Sequence, residues 1–349
     1  FQLAISAEKL YHRGRDPETL SWGRKPERGT GMNDKTVVLN AAKMNFDGRL
    51  DFSILSGHVT VYDDTAPEQL LERIQGADII VTKEMPVSGD LIRSFPDSVR
   101  LICEAGTGYN NLDLAAAEEK GITVCNIPAY STKRVAHTAI MLILNLSSSM
   151  GAQLSMLARG NHDNFTKNLQ VNHVEVNGKT LGILGAGSIG REVIKIARAM
   201  DMEILVYTRT PRADEDGIRY VDLETMLKSS DYVSLHCPLT PDTRHIINER
   251  TLSLMKPTAY LINTSRGALV DETALIAALK DGRLAGAGLD VQETEPPAEE
   301  NPLYSMENVI LTPHMGWKGL ETRKRLISLL AENIRAYLNG APVNVVTKR

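Results

Sequence analysis

The sequence predicts an α/β protein with two doubly wound parallel-sheet domains and a cleft between them. Three observations carry that expectation. Short apolar runs alternate with segments of helical spacing from residue 35 onward, an apolar run at 180–184 empties into three spaced glycines and a helical segment, and an amphipathic stretch at 320–338 closes the pattern. Such alternation builds parallel βα units, and right-handed crossovers wind them into an open sheet covered by helices on both faces.

Taken in order, residues 1–34 show no sustained periodicity and no apolar core of a secretory signal, so they are expected to be a disordered extension. A first domain is expected from 35–130, completed by 318–349. Its strands fall at 36–39, 58–62, 78–82, 99–103 and 122–124, and its helices at 66–74, 88–95 and 113–120, where apolar residues recur three or four apart. Ser131 or Thr132 can cap a long helix to Ser149 that is apolar on most sides. Such a helix is expected to lie between domains or against a second copy of the chain, which makes a homodimer the expected state. The stretch 161–173 is polar and reads as irregular. A second domain, 131–317, repeats the alternation with strands at 203–207, 232–236, 259–263, 286–290 and 309–311 and helices at 223–228, 248–254 and 272–280. The 320–338 segment then returns to the first domain.

Bulk properties narrow the partners. The 349 residues are 42% hydrophobic with a formal net charge of −4, so the basic excess of a nucleic-acid binder is missing and no nucleic-acid partner is expected. No apolar run approaches the roughly 18 residues of a membrane helix, so no membrane partner is expected. Cys103, Cys125 and Cys237 sit in or just after apolar runs and read as reduced thiols in a cytoplasmic protein, with no metal site.

The apolar run at 180–184 leads into Gly185-Ala186-Gly187-Ser188-Ile189-Gly190 and then into a helical segment. In that context the glycines are the fingerprint of a Rossmann dinucleotide-binding domain. Gly185 permits the tight turn, Gly187 lets backbone N–H groups approach a pyrophosphate, and Gly190 lets helix and strand pack closely; the helix N-terminus attracts the phosphates. After the next strand, an NAD-selective site would place an acid against the ribose 2′-hydroxyl. This chain has Thr208-Arg209-Thr210-Pro211-Arg212 instead. Without the carboxylate, and with two guanidinium groups and threonine hydroxyls suited to a 2′-phosphate, NADP(H) is the preferred cofactor and NAD(H) a possible one.

Three further stretches stand at the C-terminal ends of expected strands: Asn263-Thr264-Ser265-Arg266-Gly267, Asp290-Val291-Gln292-Glu293-Thr294-Glu295, and Thr312-Pro313-His314-Met315-Gly316-Trp317. With the glycine fingerprint they resemble the D-isomer-specific 2-hydroxyacid dehydrogenase family across 35–340. The resemblance implies a flavodoxin-like substrate domain beside the Rossmann domain. It implies Arg266 as the substrate-binding arginine, His314 as acid/base and Glu295 as its acidic partner. Each role suits the residue. A guanidinium forks onto a 2-oxo acid, an imidazole exchanges a proton near neutrality, and a carboxylate orients the ring and favours imidazolium. The resemblance also implies Thr107 and Gly108 as backbone donors to the substrate carboxylate and Tyr130 as a residue reaching the substrate, with a hinge-packing role for that ring as the alternative. On the cofactor side it implies Cys237, Pro238, Thr264, Asp290 and Gly316. Lys83, just past a first-domain strand, either faces the cleft or is a solvent lysine. Within the family, Gly108-Tyr109-Asn110-Asn111, the 128–132 segment and Trp317 look most like the glycerate dehydrogenase and hydroxypyruvate or glyoxylate reductase branch, a crowded pocket suiting a short 2-oxo or 2-hydroxy acid. Two other readings stand beside it: an NAD-dependent D-lactate or broad D-2-hydroxyacid dehydrogenase, and a dinucleotide-sensing, corepressor-like binding protein. The intact Arg266, Glu295 and His314 argue against the last.

Overall fold

The computed structural model describes residues 35–348, so the expectation for 1–34 lies outside the described residues. The first sheet comprises β1 (Lys35–Val38), β2 (His58–Val61), β3 (Ile79–Thr82), β4 (Leu101–Glu104) and β5 (Thr123–Cys125), with α1 (Pro67–Arg73), α2 (Gly89–Arg93) and α3 (Leu114–Glu119) between them. Its order is β2-β1-β3-β4-β5, and every pairing is parallel. β3 and β4 are buried at every position, as continuous apolar runs in a sheet covered on both faces should be. Short polar caps set the helix starts: Asp113 accepts from Ala116 N at 3.0 Å ahead of α3.

α4 (Thr132–Ser147) follows, then α5 (Met150–Ala158) and α6 (Asp163–Thr166). The helix expected to Ser149 is α4, which ends two residues earlier, and α5 beyond it was not expected. Ser149 adopts φ 47°, a left-handed conformation that a continuous helix cannot contain. α6 also gives the polar 161–173 stretch a helical turn.

The second sheet has seven strands: β6 (Thr180–Leu184), β7 (Glu203–Tyr207), β8 (Arg219–Tyr220), β9 (Tyr232–Leu235), β10 (Tyr260–Asn263), β11 (Gly286–Leu289) and β12 (Val309–Leu311). Their order is β12-β11-β10-β9-β6-β7-β8, again all parallel. The helices are α7 (Ser188–Ala199), α8 (Leu223–Ser229), α9 (Glu249–Leu252) and α10 (Glu272–Lys280). β8, two residues long, was not expected; so short a strand leaves no period to read in the sequence.

The apolar face of α4 is taken up inside the chain. Ala136, Ala139, Leu142 and Ile143 are fully buried in one cluster with Leu181, Val193 and Ile262. Exposed apolar side chains remain at Leu144 on α4 and at Leu154 (58% exposed) and Phe165 (78%) on α5 and α6. Among the described residues no single helix is long and apolar enough to cross a membrane; α4 and α5 together reach the length but bend by 64°.

α11 (Leu320–Leu338) returns to the first sheet, where Leu326, Leu330 and Ile334 pack with Val38, Val81 and Leu101. The tail after it hydrogen-bonds to β5 through Val346 N to Val124 O at 2.9 Å. The chain thus passes between the sheets before α4 and again before α11, and the C-terminal ends of the strands carry the loops that form the site.

Candidate active site

The dinucleotide turn lies where the strand order of the second sheet reverses, with β9 on one side of β6 and β7 on the other. Gly185 has φ 100°, and a Cβ on Gly190 would stand 2.2 Å from the Gly185 carbonyl oxygen, so both positions admit only glycine. Gly187 differs: a Cβ there would meet no protein atom within 4 Å. Ser188 and Ile189 open α7, so their N–H groups face that space unpaired by the helix. A glycine opening on free space and helical donors fits a pyrophosphate.

The turn after β7 exposes Arg209 and Arg212, and neither enters an ion pair or side-chain hydrogen bond among the described residues. The Thr208 hydroxyl does not remain free, as expected from the sequence, because it donates to Thr210 O at 2.7 Å. Cys237 is buried and its N–H borders Gly185, Pro238 is exposed, and the hydroxyl of buried Thr264 has no partner among the described residues.

Asp290, at the end of β11, is 1% exposed and accepts from the Thr312 hydroxyl at 2.5 Å, Met315 N at 2.8 Å and Gly316 N at 2.8 Å. Its carboxylate thereby pins the loop after β12. At the head of that loop His314 is held at φ 47°, its N–H donating to Asp290 O and Thr312 O. The strain of a left-handed histidine is offset by these fixed bonds, and it turns the imidazole toward Glu295, whose Oε2 lies 2.8 Å from His314 Nδ1. Burial pushes the Glu295 carboxyl up, but the hydrogen bond and charge of His314 outweigh it and hold the group below the ordinary carboxylate range. The pair lines a cleft of about 940 Å³ together with Glu84, Gln292 and Trp317.

Arg266 follows β10, and its backbone carbonyl is held by Asn263 Nδ2 at 2.9 Å. Its guanidinium reaches the first sheet's loop so closely that a Cβ on Gly108 would stand 1.9 Å from Nη2. Thr107 is fixed by its hydroxyl to Ile127 O at 3.0 Å and by Asn126 Nδ2 to its carbonyl at 2.7 Å, which leaves its N–H and that of Gly108 unspent among the described residues. Tyr130 is 3% exposed and packs in the core of the first sheet; burial pushes its hydroxyl up, with the charges of Glu84 and Arg266 also acting on it. The packing role therefore holds for the ring, while its polar end lies near the site.

Lys83 is no solvent lysine. It is 1% exposed, with Nζ 2.5 Å from Glu84 Oε1 and 4.0 Å from the centroid of the Trp317 ring. Ion pair and cation–π contact offset the loss of hydration of a buried ammonium. Asn40 clamps its backbone, accepting from Lys83 N at 2.9 Å and donating to Lys83 O at 2.6 Å. Glu84 was not singled out from the sequence. The signal available was a Lys-Glu pair directly after the run Ile79-Ile80-Val81-Thr82, at the strand end where ligands bind.

Comparison with known proteins agrees with this geometry. Residues 140–316 match the family model described as D-isomer specific 2-hydroxyacid dehydrogenase, NAD binding domain. The chain is 38% identical over 323 residues to a hydroxypyruvate reductase of Blautia hydrogenotrophica, covering 90% of this chain and 100% of that one. It is 40% identical over 319 residues to a glycerate dehydrogenase of Methylorubrum extorquens, covering 90% and 99%. Among solved structures, a glyoxylate reductase from Paecilomyes thermophila superposes with a TM-score of 0.77 at 32% identity, covering 90% of this chain and 98% of that one. With a nicotinamide-dinucleotide fingerprint at the reversal point of one sheet, and an arginine and a carboxylate-braced histidine at strand ends beside it, the chain belongs to the D-isomer-specific 2-hydroxyacid dehydrogenase family of oxidoreductases.

Proposed function

We propose that the protein reduces a short 2-oxo acid, hydroxypyruvate or glyoxylate, to the D-2-hydroxy acid, with NADPH preferred over NADH. The observation that carries this reading is the 2.8 Å His314–Glu295 pair, with Arg266 and His314 both near enough to Glu84 for their charges to act on it. The 185–190 turn, Arg209 and Arg212, with Cys237, Pro238, Thr264, Asp290 and Gly316, would hold the dinucleotide. Bound there, it supplies the hydride that reaches C2. The chain's own groups do the rest. The unspent amides of Thr107 and Gly108 and the Arg266 guanidinium take the substrate carboxylate and polarise the ketone. His314 delivers the proton to the oxygen as negative charge builds on it, and Glu295 keeps the imidazole oriented and favours its protonated form. Trp317 keeps the pocket short.

The same proposal assigns 35–130 with 318–349 to the substrate and 131–317 to the cofactor. It includes a homodimer, supported by the exposed apolar side chains of α5 and α6, and a cytoplasmic setting, which suits three buried free thiols. Following NADPH and NADH consumption with hydroxypyruvate, glyoxylate and pyruvate tests the reading. We expect turnover of the first two, and a fall in kcat on the order of 10²–10⁴ for His314→Asn with cofactor binding retained. Absence of consumption with every short 2-oxo acid overturns it.

A further inference from the structure

Glu84 places an acid in a pocket for acids, and nothing in the reaction just described uses it. The residue lines the cleft with His314, Glu295 and Trp317. Its backbone is held at φ 53°, with the N–H donating to the buried Glu104 carboxylate at 2.9 Å, and Asn40 grips the residue before it through both backbone polar groups. The turn is therefore fixed by groups other than the Glu84 side chain, and it carries that side chain to the cleft wall. There Oε1 meets Lys83 Nζ at 2.5 Å, while Oε2 accepts no hydrogen bond among the described residues. The charges of His314 and Arg266 both bear on the carboxylate.

Pairing with Lys83 takes only one oxygen of this acid. The buried Glu104 feels the same ammonium only through its charge, burial pushing its carboxyl up, and both of its oxygens are taken by Thr82, Glu84 N and Asn111. Glu84 keeps a side chain 39% exposed and one oxygen unused on the wall of the cleft that His314 and Glu295 also line.

We propose that Glu84 is the specificity-determining acceptor for the substrate's C3 substituent, its free oxygen taking a hydrogen bond from a C3 hydroxyl. The inference rests on the 2-oxo acid reading above and names which member of that class the site selects. A carboxylate at this point repels the substrate's own carboxylate and so directs C1 to Arg266 and the Thr107–Gly108 amides, with C3 toward Glu84. End-for-end reversal about the C2–O axis would present the opposite face of C2, so the same charge guards the stereochemistry of the product. Lys83 holds Glu84 ionised and in place, acting as a positioning residue.

The test is the ratio of kcat/KM for hydroxypyruvate to that for pyruvate, which differs only by the C3 hydroxyl, with glyoxylate, which has no C3, as a reference. Wild type is expected to favour hydroxypyruvate. Glu84→Met should lower the ratio roughly 10- to 100-fold, mainly through KM for hydroxypyruvate, since a charge-assisted hydrogen bond to substrate is lost. Glu84→Gln, of the same shape and backbone demand, serves as the folding control and should lower the ratio by a smaller factor, with Glu84→Asp restoring part of it. An unchanged ratio, or equal losses on all three acids, would overturn the assignment of Glu84 while leaving the reductase reading intact. A wild type that reduces none of the three would instead remove the reading on which the proposal rests.

Discussion

Replacing Gly108 by Ala should disable the site while sparing the fold. The added Cβ would stand 1.9 Å from Arg266 Nη2, whereas ordinary contact begins at 3.4 Å, so the guanidinium must withdraw by about 1.5 Å. The obstacle is the end of a flexible side chain, and the backbone at 108 is not in the left-handed region, so alanine itself is accommodated. Stability should change little. A misplacement of about 1 Å in a substrate-positioning group costs on the order of a hundredfold, about 2.7 kcal/mol of transition-state stabilisation. We therefore expect kcat/KM for glyoxylate and hydroxypyruvate to fall by about two orders of magnitude. The dissociation constant of NADPH, measured by fluorescence titration, and the melting temperature should stay near wild type. If kcat/KM remained within about threefold of wild type, Arg266 would not hold the substrate from its observed position, and the account of the carboxylate site would be wrong.

Other outcomes follow from the same geometry. Arg209→Ala and Arg212→Ala should each raise KM for NADPH by about tenfold and leave KM for NADH nearly unchanged, because each removes a charge-assisted contact available only to a 2′-phosphate; equal effects on both cofactors would refute NADP preference. Arg323, 2% exposed, pairs through both terminal nitrogens with Asp47, whose carboxyl the hydrogen bond holds down at about 2 from an ordinary 3.8. A depressed folded-state value gives stability that is present above about 3.8 and is lost as pH falls through about 2, so the melting-temperature gap between wild type and Asp47→Asn should be widest near neutrality and close across that window. Leu154→Glu combined with Phe165→Glu should convert a dimer to a monomer in sedimentation velocity without loss of helix content; a wild type already monomeric would refute the α5–α6 interface.

The sheet strands were legible because both sheets are parallel and covered, which forces continuous apolar runs bounded by polar loops, as at 79–82 and 260–263. The dinucleotide turn was legible because three glycines at fixed spacing have a steric cause that sequence states directly. α5 was not, because its nine residues bury no side chain and so carry no apolar face to read. The two residues of β8 pair with β7 only by tertiary placement.

The order of motifs along the chain by itself determined the architecture and the dinucleotide loop, and the resemblance of its strand-end motifs to a known family singled out Arg266, Glu295 and His314. Only the tertiary structure decided that Lys83 is buried against Trp317, that Glu84 enters the cleft beside it, that Asp290 pins the histidine loop, and that Arg266 abuts Gly108. These contacts join residues tens to hundreds of positions apart. Their energies come from desolvation and close approach between separate strand ends and loops, and neither is written in any stretch of neighbouring residues.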